Sequence, residues 1–284
     1  LGIREAVGTV NVSKAYVPTT RGEVHCRFAG SGTPLVLLQL TPRASEQFEA
    51  SIGLFAEAGY RCVAIDLMGY GRSDKRDCEW SVADFAVNVQ EALAALDLVP
   101  RALVAGHFSA LVALEMVVTL EMPVDALVLD GTPAWLPDER AERRRQFRDP
   151  PRWRGDGSHW PGFWEFAWGF MQRQDPGLVL DDFNERRVRV VTAALLEAAF
   201  PPMAAAAMFD YDPMPLMPRV RVPVLAITSE TDSLRPCHAR VLESIPGSTG
   251  HRFDSVHPLY HVARVDRTGE YVAVVTDFLS RSLA

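Results

Sequence analysis

"LVAGHFSALVA", Leu103–Ala113, lies inside the most apolar segment of the chain, Ala102–Leu120. That segment approaches the length of a membrane span, but Gly106, His107, Ser109 and Glu115 interrupt it. A buried strand running directly into a buried helix accounts for it better. The strand is "RALVAG" (101–106) and the helix covers 109–120. The rest of the chain repeats this unit. "TPLVLLQL" (33–40), "YRCVAIDL" (60–67), "VDALVLDGTP" (124–133) and "RVPVLAIT" (221–228) are continuous apolar runs, the mark of strands buried on both faces.

Helical patterns alternate with these strands. Phe48, Ile52, Leu54 and Phe55 carry helical spacing through 45–58. Ser81 and Asp84 form a capping box for a helix reaching Leu96. A final helix over 268–282 turns Tyr271, Val275 and Phe278 inward. "GEVHCRFAG" (22–30) alternates as an antiparallel strand does. The expectation is an α/β fold: a mainly parallel central sheet with helices on both faces. Residues 134–212 break the pattern. They hold no convincing strand, an Arg-rich run (139–148) and five of the 6 tryptophans. They read as a helical cap, or lid, inserted after the 124–130 strand, so that 1–133 and 213–284 form one core domain. The plainer reading, compatible with it, is that those tryptophans fill a small helical core.

Composition narrows the function classes. A net charge of −7 with no extended Lys/Arg surface gives no electrostatic footprint for nucleic acid or for an anionic membrane. The four cysteines, Cys26, Cys62, Cys78 and Cys237, form no CxxC pair and no zinc spacing, so neither a metal nor a structural disulfide is expected. "LGIREAVGTV" at the start lacks the apolar core of a secretory signal, and a cytoplasmic protein is expected. Nothing in the chain calls for a cofactor, and homo-oligomerisation stays open.

Three segments resemble the α/β-hydrolase fold superfamily, in the right order. "PLVLLQLTPRASEQFEASIGLFAEAGYRCVAIDLMGYGRSD" (34–74) matches its third strand, first helix, fourth strand and turn. "VPVLAITSETDSLRP" (222–236) matches the strand and loop that carry the catalytic acid, and "YHVARVDRTGEYVAVVTDFL" (260–279) the histidine loop and last helix. The resemblance implies a nucleophile on the tight turn between the 101–106 strand and the next helix, flanked at two residues either side by small side chains. In "GHFSA" Gly106 and Ala110 are such flanks, and the residue they bracket is Phe108, which cannot attack a carbonyl. At the tip of that turn its ring is expected to project into the pocket. Ser109 is the alternative nucleophile, but its own flanks, His107 and Leu111, are not small.

The resemblance also implies the remaining machinery. Asp232 stands where the acid belongs and His261 where the histidine belongs, with His257 and His251 as nearby competitors and Asp130 as an alternative acid. Gln39-Leu40-Thr41 replaces the usual His-Gly of the oxyanion loop, whose donors are backbone N–H groups, with the Ser109 N–H as the second donor. In the cap, His159, Trp160 and Trp164 are candidate pocket residues. The first functional reading is a cofactor-independent enzyme without a covalent serine. It uses His261–Asp232 as a general base on an apolar carbonyl compound, in proton-transfer, lyase, cyclase or decarboxylase chemistry of the natural-product kind. The second is an ester or lactone hydrolase using Ser109 or a water activated by His261. A third is a ligand-binding protein without catalysis, and a fourth a serine hydrolase whose nucleophile has been substituted.

Overall fold

The computed structural model describes residues 10–75, 79–146, 154–174, 179, 182–198, 203–230, 232–254 and 265–283. The chain opens with β1 (Ser13–Thr19), β2 (Gly22–Ala29) and β3 (Thr33–Leu38), then α1 (Ile52–Glu57) and β4 (Tyr60–Ile65). It continues through α2 (Val82–Ala95), β5 (Ala102–Gly106), α3 (Phe108–Val118) and β6 (Ala126–Asp130). Four helices follow among the described residues: α4 (Pro137–Gln146), α5 (Trp160–Gln174), α6 (Asp182–Glu197) and α7 (Met203–Asp210). Then come β7 (Val224–Ser229), α8 (His238–Ser244), β8 (Thr249–Phe253) and α9 (Val265–Ser282).

The eight strands form one sheet in the order β1-β2-β4-β3-β5-β6-β7-β8. The β1–β2 and β2–β4 pairs are antiparallel; β4 through β8 pair in parallel. Alternation along each strand divides the core in two, because successive side chains leave opposite faces of a sheet. Val36, Leu38, Leu103, Ala105, Leu127 and Leu129 join the cluster that takes Phe85 and Leu111 from α2 and α3. Leu35, Leu37, Ala102, Val104 and Val128 join the cluster that takes Ile52 and Phe55 from α1 and Tyr271, Val275 and Phe278 from α9. The expected three-layer α/β architecture is therefore the observed one. The expected capping box is present too: the Ser81 hydroxyl accepts from the Asp84 N–H, and the Asp84 carboxylate accepts from the Ser81 N–H.

Two strands were not anticipated, and two local expectations change. The strands Ser13–Thr19 and Thr249–Phe253 lie at the two edges of the sheet, where most side chains are exposed and the apolar pattern that marks an inner strand is absent. The 45–58 segment divides into a 3₁₀ turn at Ser45–Phe48 and a short α1. The 101–120 unit places its helix start at Phe108 rather than at 109.

Between β6 and β7 the helices pack in two ways. α5 and α6 share a small apolar cluster of Phe163, Ala167, Met171, Val188 and Leu195, with Trp164 and Trp168 against it. α7 instead sends Ala204, Ala207 and Phe209 into the main core. It is tied there from two sides: the Tyr70 hydroxyl accepts the Ala204 N–H at 3.0 Å, and the Tyr211 hydroxyl donates to Glu115 of α3 at 2.5 Å. Trp135 stacks on Phe209 with centroids 5.5 Å apart.

The turn after β4 is built around Asp66. Its carboxylate accepts from the Ser45 N–H at 2.6 Å, the Arg72 N–H at 2.8 Å and His25 Nδ1 at 2.9 Å, and the Ser73 hydroxyl donates to its carbonyl at 2.6 Å. Burial works to raise the Asp66 carboxyl, but these donors hold it below the ordinary carboxylate value. His25–Asp66 is thus a sealed structural pair, 2% exposed on each side. Among the described residues no helix is long and apolar enough to cross a membrane. Cys26, Cys62 and Cys237 are buried free thiols; Cys78 lies outside the described residues.

Candidate active site

The parallel strands β5, β6 and β7 end side by side, and the loops leaving them meet at one point. β5 stops at Gly106, and α3 begins two residues later at Phe108. The single residue between them, His107, takes the whole change of direction at φ 50° and ψ −116°. A non-glycine residue avoids that region, because its Cβ crowds the backbone. Two bonds hold it there: the His107 N–H donates to the Asp130 carbonyl at 2.8 Å, and the His107 carbonyl accepts the Ala110 N–H at 3.0 Å. The strained corner of the strand-to-helix turn is therefore His107. Its small neighbours at two residues either side are Ala105 and Ser109.

His107 faces the acid loop after β7. Its Nε2 lies 3.3 Å from Asp232 Oδ1, with the histidine side chain 19% exposed and the aspartate side chain fully covered. Asp232 is held by its own turn: its N–H donates to the Ser229 carbonyl at 3.1 Å, and its Oδ1 accepts the Leu234 N–H at 2.8 Å. Burial disfavours a charged His107, but the Asp232 carboxylate, with a smaller contribution from Asp130, outweighs it and holds the imidazole above its ordinary value.

Gly131, the first residue after β6, makes room for the pair. It sits at φ +66°, and a Cβ there would lie 2.6 Å from Asp232 Oδ2 and 2.6 Å from His107 Cδ2. A Gly131→Ala change is expected to cost about 1–2 kcal/mol of stability from the left-handed backbone. It should also displace the pair and lower turnover at least about tenfold. Denaturant unfolding and steady-state kinetics on the same variant read the two effects separately.

The other expected site residues fall in different places. Phe108 is completely buried, and its ring meets Phe85 of α2 edge-on with centroids 5.0 Å apart. It is the first residue of α3 and looks into the core, which corrects the expectation that its ring enters the pocket. Ser109 is also completely buried, and its hydroxyl donates to the Gln39 carbonyl, locking the end of β3 to the start of α3. The Gln39 amide spans the Ile65 carbonyl and the Leu67 N–H at the end of β4, so its side chain is structural rather than part of a pocket. The Leu40 N–H donates to Gln47 Oε1 at 3.0 Å; Thr41 follows, half-buried. With the corner at 107, the N–H that follows it and begins α3 belongs to Phe108, not to Ser109.

Asp130 is 2% exposed at the end of β6, and its carboxylate acts on the Tyr271 phenol of α9. Burial first, then that carboxylate, keep the Tyr271 phenol well above its ordinary value. His159 is buried, its Nδ1 accepting the Arg154 N–H at 3.1 Å, while Trp160 is half exposed and Trp164 lies against the α5–α6 cluster. His251 meets Phe253 edge-on at 4.5 Å on β8. His261 and His257 lie outside the described residues. Among the described residues no group of three or more metal-ligating side chains gathers. The structure thus brings His107, Asp232, Gly131 and Asp130 together, and His107 is the residue that sequence reasoning passed over.

The family model for the alpha/beta hydrolase fold matches residues 33–156. Solved structures agree over nearly the whole chain. An esterase from Exiguobacterium antarcticum superposes with a TM-score of 0.71 at 20% identity, covering 94% of this chain and 100% of its own. The bromoperoxidase from Bacillus anthracis gives 0.73 at 19% identity, covering 94% and 100%. The enol-lactonase from Burkholderia xenovorans LB400 gives 0.71 at 16% identity, again covering 94% and 100%. No curated protein matches. Residues 33–156 thus match the alpha/beta hydrolase fold family, and the structural likeness extends that fold over nearly the whole chain. At these identities the structural neighbours speak to the fold alone.

Proposed function

We propose that this chain is an enzyme that works by general-base catalysis from a His107–Asp232 pair, without a covalent serine intermediate. One observation carries the reading: the strained corner where this fold holds its nucleophile presents an imidazole, 3.3 Å from a covered carboxylate. A carboxylate in that position orients the ring and stabilises its protonated form. With Nε2 turned to Asp232, the opposite nitrogen, Nδ1, takes the proton.

Ser109 fits a nucleophile poorly, because its buried hydroxyl is spent on the Gln39 carbonyl. The proton that His107 removes comes from an acidic C–H or O–H of an apolar carbonyl substrate, in lyase or cyclase chemistry. Alternatively it comes from a water that attacks an ester or lactone. The esterase and the enol-lactonase among the structural neighbours favour the water form by analogy. The α5–α6 pair, with its separate small core, is the part of 134–212 that we assign as the lid. The proposal requires no cofactor.

A serine-directed fluorophosphonate separates this reading from a serine hydrolase. The protein should remain unlabelled while it turns over an aryl ester or lactone, and hydrolysis should show no acyl-enzyme burst. Stoichiometric labelling at Ser109 would sink the proposal in favour of covalent catalysis. If His261→Ala abolishes turnover while His107→Ala leaves it intact, the base belongs on the histidine loop instead.

A further inference from the structure

The loop before α5 holds a concavity of about 420 Å³ lined by Arg154, Gly155, Gly157, His159 and Trp160. None of these residues belongs to the His107–Asp232 site. The concavity is broad and largely open to solvent. One wall is the Trp160 indole, 50% exposed. Its plane is set by His159, which stacks on it with centroids 5.4 Å apart and 29° between rings, and Phe163 backs His159 edge-on at 5.9 Å. His159 is in turn held by the Arg154 N–H on its Nδ1 at 3.1 Å. The indole is a fixed platform rather than a freely rotating side chain, so a ligand ring laid on it loses little side-chain entropy.

The second wall is Arg154. The residue is exposed, and no carboxylate among the described residues pairs with it. The nearby Asp156 turns back onto its own loop, its Oδ1 accepting the Ser158 N–H at 3.0 Å. The chain as a whole carries −7, which repels anions, so a bound carboxylate needs a local cation. Gly155 and Gly157 leave the space between the two walls without side chains; nothing lies within 4 Å of a Cβ built at Gly155. A planar guanidinium offers paired N–H donors that match a carboxylate, and an indole face takes an aromatic ring.

We propose that the 154–160 loop is a binding site for a planar aromatic carboxylate, with the ring on Trp160 and the carboxylate on Arg154. Calorimetric titration with naphthalene-1-carboxylate tests it. One equivalent should bind saturably, and either Arg154→Gln or Trp160→Ala should weaken it about tenfold or more. Both side chains are open to solvent, so both variants should keep the wild-type circular dichroism spectrum. Cyclohexanecarboxylate, which has the charge without the ring, and 1-naphthol, which has the ring without the charge, should each bind about tenfold more weakly. His107→Ala should leave naphthoate affinity unchanged, which separates this site from the proposed catalysis. Absence of naphthoate binding overturns the proposal. So does an affinity that either variant leaves unaltered, or equal affinity for cyclohexanecarboxylate.

Discussion

His107→Ala should lower kcat/KM by about two to four orders of magnitude, the usual contribution of a positioned general base. Circular dichroism should stay close to wild type, because the side chain is partly exposed and alanine removes only its tip interactions. Asp232→Asn keeps the shape but removes the charge that stabilises the imidazolium, and should cost at least about 10² in rate. The pH profile gives a sharper test. Asp232 raises the folded value of His107 above the ordinary 6.5. A base must be neutral to act, so activity should rise with pH through that raised value, with its acid limb above 6.5. The stability from the protonated pair runs the other way. It is fully present below 6.5 and is lost as pH climbs through the folded value. In Asp232→Asn the limb should move to lower pH. An acid limb that stays in place in that variant would falsify the assignment of His107 as the titrating base.

Phe108→Ser is the second large effect, and it bears on the register of the corner. Were Phe108 the tip, serine there would restore a nucleophile and bring esterase activity. In the structure Phe108 is completely buried against Phe85, so the substitution removes a core ring and leaves a hydroxyl in its place. The expected result is a loss of about 3–5 kcal/mol in urea unfolding, and no gain of esterase activity. A soluble, stable Phe108→Ser protein that reacts with a fluorophosphonate would place the tip at 108 after all.

Much of this was legible in the sequence, for identifiable reasons. Strands buried on both faces, such as 33–38 and 102–106, appear as unbroken apolar runs, and the Ser81–Asp84 cap is a local signal between residues three apart. The strand that leads to Asp232, 224–229, is another such run. The edge strands were not legible, because an exposed strand carries no apolar pattern. Nor was the structural use of Ser109 and Gln39, which depends on bonds that cross from α3 to β3 and from β3 to β4.

The corner itself shows where the division lies. By itself the sequence determined the α/β architecture, the strand-to-helix unit at 101–120 and the presence of a turn among Gly106, His107, Phe108 and Ser109, since these rest on apolar periodicity and chain order. It did not determine which residue occupies the tip. Gly106 and Ala110 bracket Phe108 with small side chains, and Ala105 and Ser109 bracket His107 equally well. Only the tertiary structure decided between them. The helix begins at 108 because the Phe108 ring gains burial against Phe85. The positive φ then falls on the preceding residue, whose imidazole meets Asp232 beside Gly131. One residue of register, set by packing between α2 and α3, moved the tip of the turn from a phenylalanine to a histidine.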